Sequence, residues 1–540
     1  MEHVWERSHF AAFNAESYWK AIRGPQASLW RHAMKNEFNL LKSREVWTKV
    51  DLRQQNIFPN IIDAHWEYSV DSHPQDDDTF LNIFHAKLVV AGGQQKQGID
   101  FTETYSPTPS YASVRMMLSL AMSRGYHINH LVFDRALLNA DIDSDVYVRA
   151  PLGLAKHYKG AIFKLNKAMD GLKQGHRVWH QYLDRILRDI NFQPSEHEPC
   201  LYVYDRYSKY YRTKIHCMVL VYVDHMVVAG NHPDFISDVR DDLYRYCDLQ
   251  EYGRPSELLG MRVSYNDQMR TCYLDCETKI NEIADLFQIT KQERNVKTPM
   301  QSNLKFQPSP ISTEGYYRIL LGKLQFIARA TRPDIAFAVN RLSSFSNEPT
   351  TAHYHALRRV AGYLVATKTH KLALGGFPVN NAKPQVIVHI GTSTYSNTDA
   401  QDTKQVYGRI VRLGDKGPVI DWDVHQDHLK PRGYPVAQLM CMGEAYDKAH
   451  SLKCVLADTK CPMNSKIKMT GDCQVVLQTS FYQESGQVQH TRAMIELRVF
   501  EEKLVLQNAR LLELSADILT ESLDQKSFIY AREALGLTGF

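Results

Sequence analysis

The stretch Cys217-Met218-Val219-Leu220-Val221-Tyr222-Val223-Asp224-His225-Met226-Val227-Val228-Ala229-Gly230 decides how this chain reads. Two apolar runs, Met218–Val223 and Met226–Ala229, flank the polar pair Asp224-His225. β-Branched residues crowd both runs, and a short polar break between them is hairpin spacing. A turn exposes the acid at its tip while the paired strands hold it still. Taken alone, Asp224 reads better as an ordinary turn residue, so its meaning depends on what surrounds it.

Outward from the hairpin, the 540-residue chain divides into three blocks, each of a size to bury a core. From Gln26 to Met300, short strands mix with helices. Trp30, Met34, Phe38 and Leu41 recur at helical spacing and predict a helix over Gln26–Leu41. Phe84–Gly92 reads as a strand ending at a glycine pair. Val178–Ile190 reads as a helix with Trp179, Tyr182, Leu183, Ile186 and Leu187 on one stripe. From Tyr316 to Leu374 the pattern is helical, with Ala356, Leu357, Val360, Ala361 and Leu364 following i, i+3, i+4. Asp334, after Pro333, suits the first turn of a helix. The third block, Pro384–Phe540, opens with a strand-like run at Gln385–Ile390. Gln301–Thr313, rich in Ser, Pro and Gln, reads as a linker.

Composition narrows the class. A 44% hydrophobic and 23% charged chain is globular, and a net charge of +4 permits a nucleic-acid partner without demanding one. No apolar run reaches the roughly 18 residues of a membrane span. Nine cysteines lack paired CxxC clusters, and Cys272 and Cys276 have no second pair at zinc spacing, so reduced intracellular thiols are expected. Walker loops, Gly-x-Ser-x-Gly elbows and His-Glu-x-x-His helices are absent.

Tyr222-Val223-Asp224-His225 resembles the Tyr-Val-Asp-Asp tip of reverse transcriptases. Other segments follow in the order that copia-type enzymes show. Ala86-Lys87-Leu88-Val89 with Gly92, Gln95, Gly98-Ile99-Asp100, Glu103-Thr104 and Ser106-Pro107 is similar to their fingers segment. Val114-Arg115, Ala136-Leu137-Leu138-Asn139, Val146-Tyr147 with Pro151 and Gly153, and Gly171-Leu172-Lys173-Gln174 with Arg177 and Trp179 precede the hairpin. Leu259-Gly260, Thr298-Pro299-Met300, Arg332-Pro333-Asp334-Ile335 and Ala516-Asp517-Ile518-Leu519-Thr520 follow it. From about Gln26 onward the chain therefore resembles the reverse transcriptase and RNase H region of copia-type LTR-retrotransposon polyproteins.

The resemblance implies an α/β (α+β) chain, a right-hand polymerase of fingers, palm and thumb followed by an RNase H-like mixed-sheet domain. Expected boundaries are an N-terminal extension over 1–25, fingers and palm over 26–300, linker with helical thumb or connection over 301–375, and the RNase H-like domain over 380–540. It further implies an RNA/DNA primer–template and deoxynucleotides as partners, Mg²⁺ or Mn²⁺ as cofactor, no membrane, and a cytoplasmic or nuclear address.

Nucleotide addition needs two divalent ions about 4 Å apart, held by carboxylates. The family supplies one Asp on the first palm strand and two at the hairpin tip. Counted back from Ala136-Leu137-Leu138-Asn139, the first falls on Val132, and the second tip Asp is His225, a poor magnesium ligand. Asp224 alone remains as catalytic and metal-binding residue. Asp134 lies two residues from Val132, a displacement of about 6.6–6.8 Å along a strand, too far to replace it. Lys87, Lys173, Gln174 and Arg177 stand at nucleotide- or nucleic-acid-binding positions, while His85 weakens a charge the family keeps.

RNase H chemistry wants four carboxylates. The first falls on Ser393-Thr394-Tyr395 and is missing; Glu444, Asp472 and Glu496 are the remnants, with Asp399 and Asp402 read as loop residues. The expectation is a reverse transcriptase/RNase H by descent whose catalysis is lost or severely reduced. The competing readings are a non-catalytic nucleic-acid-binding or retroelement-derived host protein, and an inert remnant, for which Gly391, Ser393 and Asp170 are the departures that speak.

Overall fold

The computed structural model describes the chain apart from residues 1–15, 53–58, 75–79, 155–157, 303, 307–309, 311–314, 378–382, 397–402, 428–433, 472, 479–485, 509–514 and 540. Helix α1 (Ala27–Ser43) forms where the sequence periodicity predicts it, burying Met34 and Leu41. It packs on the long hairpin of β1 (Ala64–Pro74) and β2 (Phe80–Val90), which pair antiparallel throughout. Trp30 contacts Tyr68 and Phe84 of that hairpin edge to face, at 5.0 and 4.6 Å.

The palm is a six-stranded antiparallel sheet. Its order is Leu249–Glu251, β3 (His127–Phe133), β6 (His225–Gly230), β5 (Thr213–Tyr222), β4 (Leu201–Ser208), Gln193–Pro194. Helix α2 (Tyr111–Arg124) covers one face; α3 (Gly175–Asp189) and α4 (Pro233–Tyr244) cover the other. Because both faces are covered, β5 is buried continuously from Ile215 to Val221, which explains its unbroken apolar run. Helix α2 starts at Ser110, whose hydroxyl accepts from Ser113 N–H, and ends at Gly125 with φ +65°. Every residue from Ala112 to Ser123 is buried, so no amphipathic stripe announced it in the sequence.

Helices α5 (Tyr316–Ala330) and α6 (Thr351–Ala366) follow. The expected linker is in part docked: Phe306 is buried against Phe345 and His353, and Leu304 carbonyl accepts from Arg341 at 2.7 Å. Asp334 is more than a first-turn acid. It lies fully buried in a short 3-10 turn, chelated by Arg332 at 2.9 and 2.8 Å and bonded by the Tyr363 hydroxyl at 2.6 Å.

The C-terminal sheet has the order β9 (Val419–Asp427), β8 (Thr403–Leu413), β7 (Val386–Ser396), β10 (Ile467–Gly471), β11 (Leu504–Asn508). The first two neighbouring pairs are antiparallel and the last two parallel, the mixed topology of an RNase H-like fold. Helix α7 (Tyr434–Asp458) lies across it, with α8 (Gly486–Phe500) beyond. The last strand, Leu537–Gly539, leaves this sheet and pairs with His370–Gly375 beside the palm.

Palm and C-terminal sheet share one core through Arg115. Its guanidinium, on the buried helix α2, donates to the carbonyls of Ile420 (2.7 Å), Arg329 (3.0 Å) and Ala330 (2.9 Å) and stacks 4.0 Å from the Trp422 ring. All nine cysteines are free, and Cys276 accepts from the Thr331 hydroxyl at 3.3 Å. Among the described residues no helix is long and apolar enough to cross a membrane.

Candidate active site

Register fixes the tip of the palm. Tyr222 pairs with His225, leaving Val223-Asp224 as a two-residue loop. Val223 has φ +54°, a conformation β-branched residues avoid, and its carbonyl is held by the Trp179 indole N–H at 2.6 Å. The Asp224 carbonyl accepts from Phe133 N–H at 2.8 Å. With both turn carbonyls pinned, the Asp224 side chain projects about half exposed.

Strand β3 lies beside this tip, and its Val132 pairs directly with His225. The two positions that lack a carboxylate are therefore cross-strand neighbours next to Asp224. Sequence reasoning missed what occupies the space. His225 Nδ1 lies 2.9 Å from His130 Nε2, their rings nearly parallel at 5.1 Å. Burial and the neighbouring His225 pull the His130 imidazole down to about 4, so it is neutral. Nothing in the spacing marked His130. Asp134 does not extend the strand: β3 ends at Phe133, and Asp134 is exposed in the following turn.

These residues do not fit a pair of hard divalent ions. One carboxylate, one valine and a hydrogen-bonded imidazole pair provide too few oxygen donors, and among the described residues no group of three or more His, Cys, Asp or Glu could hold a metal.

The predicted binding residues lie where β2 crosses the segment before α3. Gly92 and Gly171 let the backbones touch: a Cβ on Gly171, whose φ is +90°, would stand 2.0 Å from Val90 carbonyl oxygen. Lys87 forms an ion pair with Asp170 at 2.9 Å, so the departure at Asp170 neutralises the charge expected to face a triphosphate. Gln174 is fully buried; its amide bonds Gln95 at 3.0 Å and Asp100 carbonyl at 2.8 Å. That makes Gln174 a staple between segments and not an exposed nucleotide contact. Lys173 is exposed, but its ammonium donates to the Gln95 carbonyl at 3.2 Å and lies 4.9 Å from the Phe101 ring centre. Arg177 makes no ion pair among the described residues and is half-buried. His85 lies 3.2 Å from Asp71.

At the C-terminal sheet, Ser393 lies on β7 without an acid. Thr392 donates to Gln438 at 2.7 Å, and a Cβ on Gly471 would meet the Gln438 amide at 3.3 Å. The α7 side chain facing the ends of β7 and β10 is thus Gln438, an amide. Glu444, further along α7, and Glu496 on α8 are both exposed. Gln438 escaped sequence reasoning because an amide six residues before Glu444 carries no metal-ligand signal. Asp472, Asp399 and Asp402 lie outside the described residues. The short helix Ser515–Leu519 packs on Gly391 and Gly408 through Ala516 and brings Asp517 near this end of the sheet.

A hairpin-tipped antiparallel palm between helices, followed by an RNase H-like sheet, is the fold of the right-hand polymerases that carry an RNase H part. Residues 44–302 match the family described as reverse transcriptase (RNA-dependent DNA polymerase). The chain is 29% identical over 371 residues to the retrovirus-related Pol polyprotein from transposon TNT 1-94 of Nicotiana tabacum, covering 67% of this chain and 27% of that one. It is 31% identical over 363 residues to that from transposon RE1 of Arabidopsis thaliana, covering 66% and 23%. The chain thus spans about a quarter of these polyproteins. Among solved structures, the foamy viral protease-reverse transcriptase in complex with double-stranded DNA aligns with TM-score 0.48 at 10% identity, over 89% of this chain and 70% of that one. Residues 44–302 are thus a reverse transcriptase domain, and the relatives the chain matches are Pol polyproteins of copia-type plant retrotransposons.

Proposed function

We propose that this chain is a reverse transcriptase and RNase H remnant that binds a primer–template and does not extend it. The observation that carries the reading is Val132 standing opposite His225 in register, with Asp224 the one carboxylate of the tip among the described residues. Mg²⁺ or Mn²⁺ would need at least two carboxylates here. Duplex binding rests on Lys173 and Arg177 and on the cleft that a right-hand polymerase fold implies beside the palm tip, and it acts in the cytoplasm or nucleus. In the proposed division, fingers and palm run to residue 300, the thumb or connection to 375, and the RNase H-like part from 380. Ser393 and Gln438, where acids are needed, make that part a buttress and not a nuclease. Lys87 and Gln174 keep structural roles.

The test is Mg²⁺- and Mn²⁺-dependent extension of a DNA primer on an RNA template. The native chain is compared with Val132→Asp plus His225→Asp. Silence from the native chain and extension by the double variant is the expected result. Extension by the native chain would overturn the reading and restore the enzyme.

A further inference from the structure

The palm hairpin between β4 and β5 carries a feature that polymerase descent does not use. Residues 206–214, Arg-Tyr-Ser-Lys-Tyr-Tyr-Arg-Thr-Lys, interleave four cations with three tyrosines and contain no acid. Tyr207 is 66% and Tyr210 85% exposed, against the rule that large aromatic rings are mostly covered. Tyr211 anchors the turn: its hydroxyl donates to Asp238 and its ring packs 4.3 Å from His232. Tyr210 touches Tyr211 edge to face at 4.8 Å and is otherwise open to solvent. Tyr207 lies opposite Lys214 in the ladder, so a ring and a cation share one side. Lys214 pairs with Asp205 at 2.9 Å and Arg206 bonds the neutral Asn191 at 3.2 Å, whereas Lys209 and Arg212 make no ion pair among the described residues.

We propose that this turn is a stacking platform for single-stranded nucleic acid, separate from the polymerase cleft. Open tyrosine faces take unstacked bases, and the interleaved cations take the phosphates between them. A duplex keeps its bases stacked inside and offers these rings nothing. Strand β5 runs ten residues from the turn to the tip, which places the platform about 30 Å from Asp224. A strand held here is one that flanks, and does not occupy, the cleft. The proposal stands independently of whether catalysis survives.

The test uses the full chain. A 4-thiouridine-containing oligoribonucleotide is photo-crosslinked and the modified peptides are mapped. In parallel, anisotropy with a fluorescein-labelled single-stranded RNA compares native protein with Tyr207→Ser plus Tyr210→Ser and with Lys209→Gln plus Arg212→Gln. All four side chains are exposed, so both variants keep the fold. Crosslinks within 206–214 are expected, with affinity falling roughly tenfold per tyrosine removed. The charge variant should flatten the salt dependence by about 1.4 in log–log slope. Binding of a blunt duplex should be unchanged in both, which separates this surface from the cleft. Crosslinks confined elsewhere, or native affinity in the tyrosine variant, would overturn the platform. So would loss in the charge variant alone, which would mark a purely electrostatic phosphate contact with no stacking.

Discussion

Val223 occupies a left-handed conformation at the palm tip with the Trp179 indole clamped to its carbonyl. Such a residue costs on the order of 1–3 kcal/mol in strain. Val223→Gly should therefore raise stability by about 1 kcal/mol, after the extra chain entropy of glycine, as read from the urea midpoint. Trp179→Phe should lower it by about 1–2 kcal/mol, because a buried carbonyl loses its donor. Asp334 makes the opposite demonstration. Burial pushes its carboxyl up, but the Arg332 guanidinium and Tyr363 hydroxyl more than offset that and hold it below the usual range. Asp334→Asn should cost about 3–5 kcal/mol by stranding a buried guanidinium. Neither feature was legible beforehand. The hairpin showed in its β-branched runs, but strain depends on a tryptophan 44 residues away, and the burial of Asp334 depends on α6 and its Tyr363.

At the scale of elements, the crossing of β2 over the segment before α3 joins two motifs that the sequence shows only as separate. Val90 N–H donates to Asp170 carbonyl at 2.8 Å, and both glycines are needed for that approach. Gly171→Ala should destabilise by about 3 kcal/mol or more, since backbone strain and a backbone clash combine; circular dichroism in denaturant would read it. The periodic helices α1, α3 and α6 were legible because one face meets solvent. Helix α2 was not, for it is buried all round and has no moment to detect. The candidate site divides in the same way. Asp224, Val132 and His225 came from motif order, and the register placed them together. Gln438 and His130 came only from packing, as amide and imidazole carry no ligand spacing.

Across the whole molecule, three buried or half-buried histidines share one behaviour. Burial, reinforced by nearby arginines, pulls His353, His370 and His389 down to about 4. Unfolded, they take up a proton near 6.5. Stability should thus be full above about pH 6.5 and fall as the pH drops toward 4, while most carboxylates stay ionised. Denaturation at pH 7 and pH 5 would show the fall; equal midpoints would contradict it. Arg115 governs the larger assembly. Arg115→Met should cost about 3 kcal/mol and split one unfolding transition into two, seen by calorimetry. Its seat is built by helix α5 and by Ile420 and Trp422, some three hundred residues downstream. A nonsense codon between residues 331 and 419 would leave that arginine without its Ile420 acceptor and its Trp422 stack. In a lineage of such genes, the polymerase half could not be kept by shedding the other, so the two persist or decay as a single inherited unit.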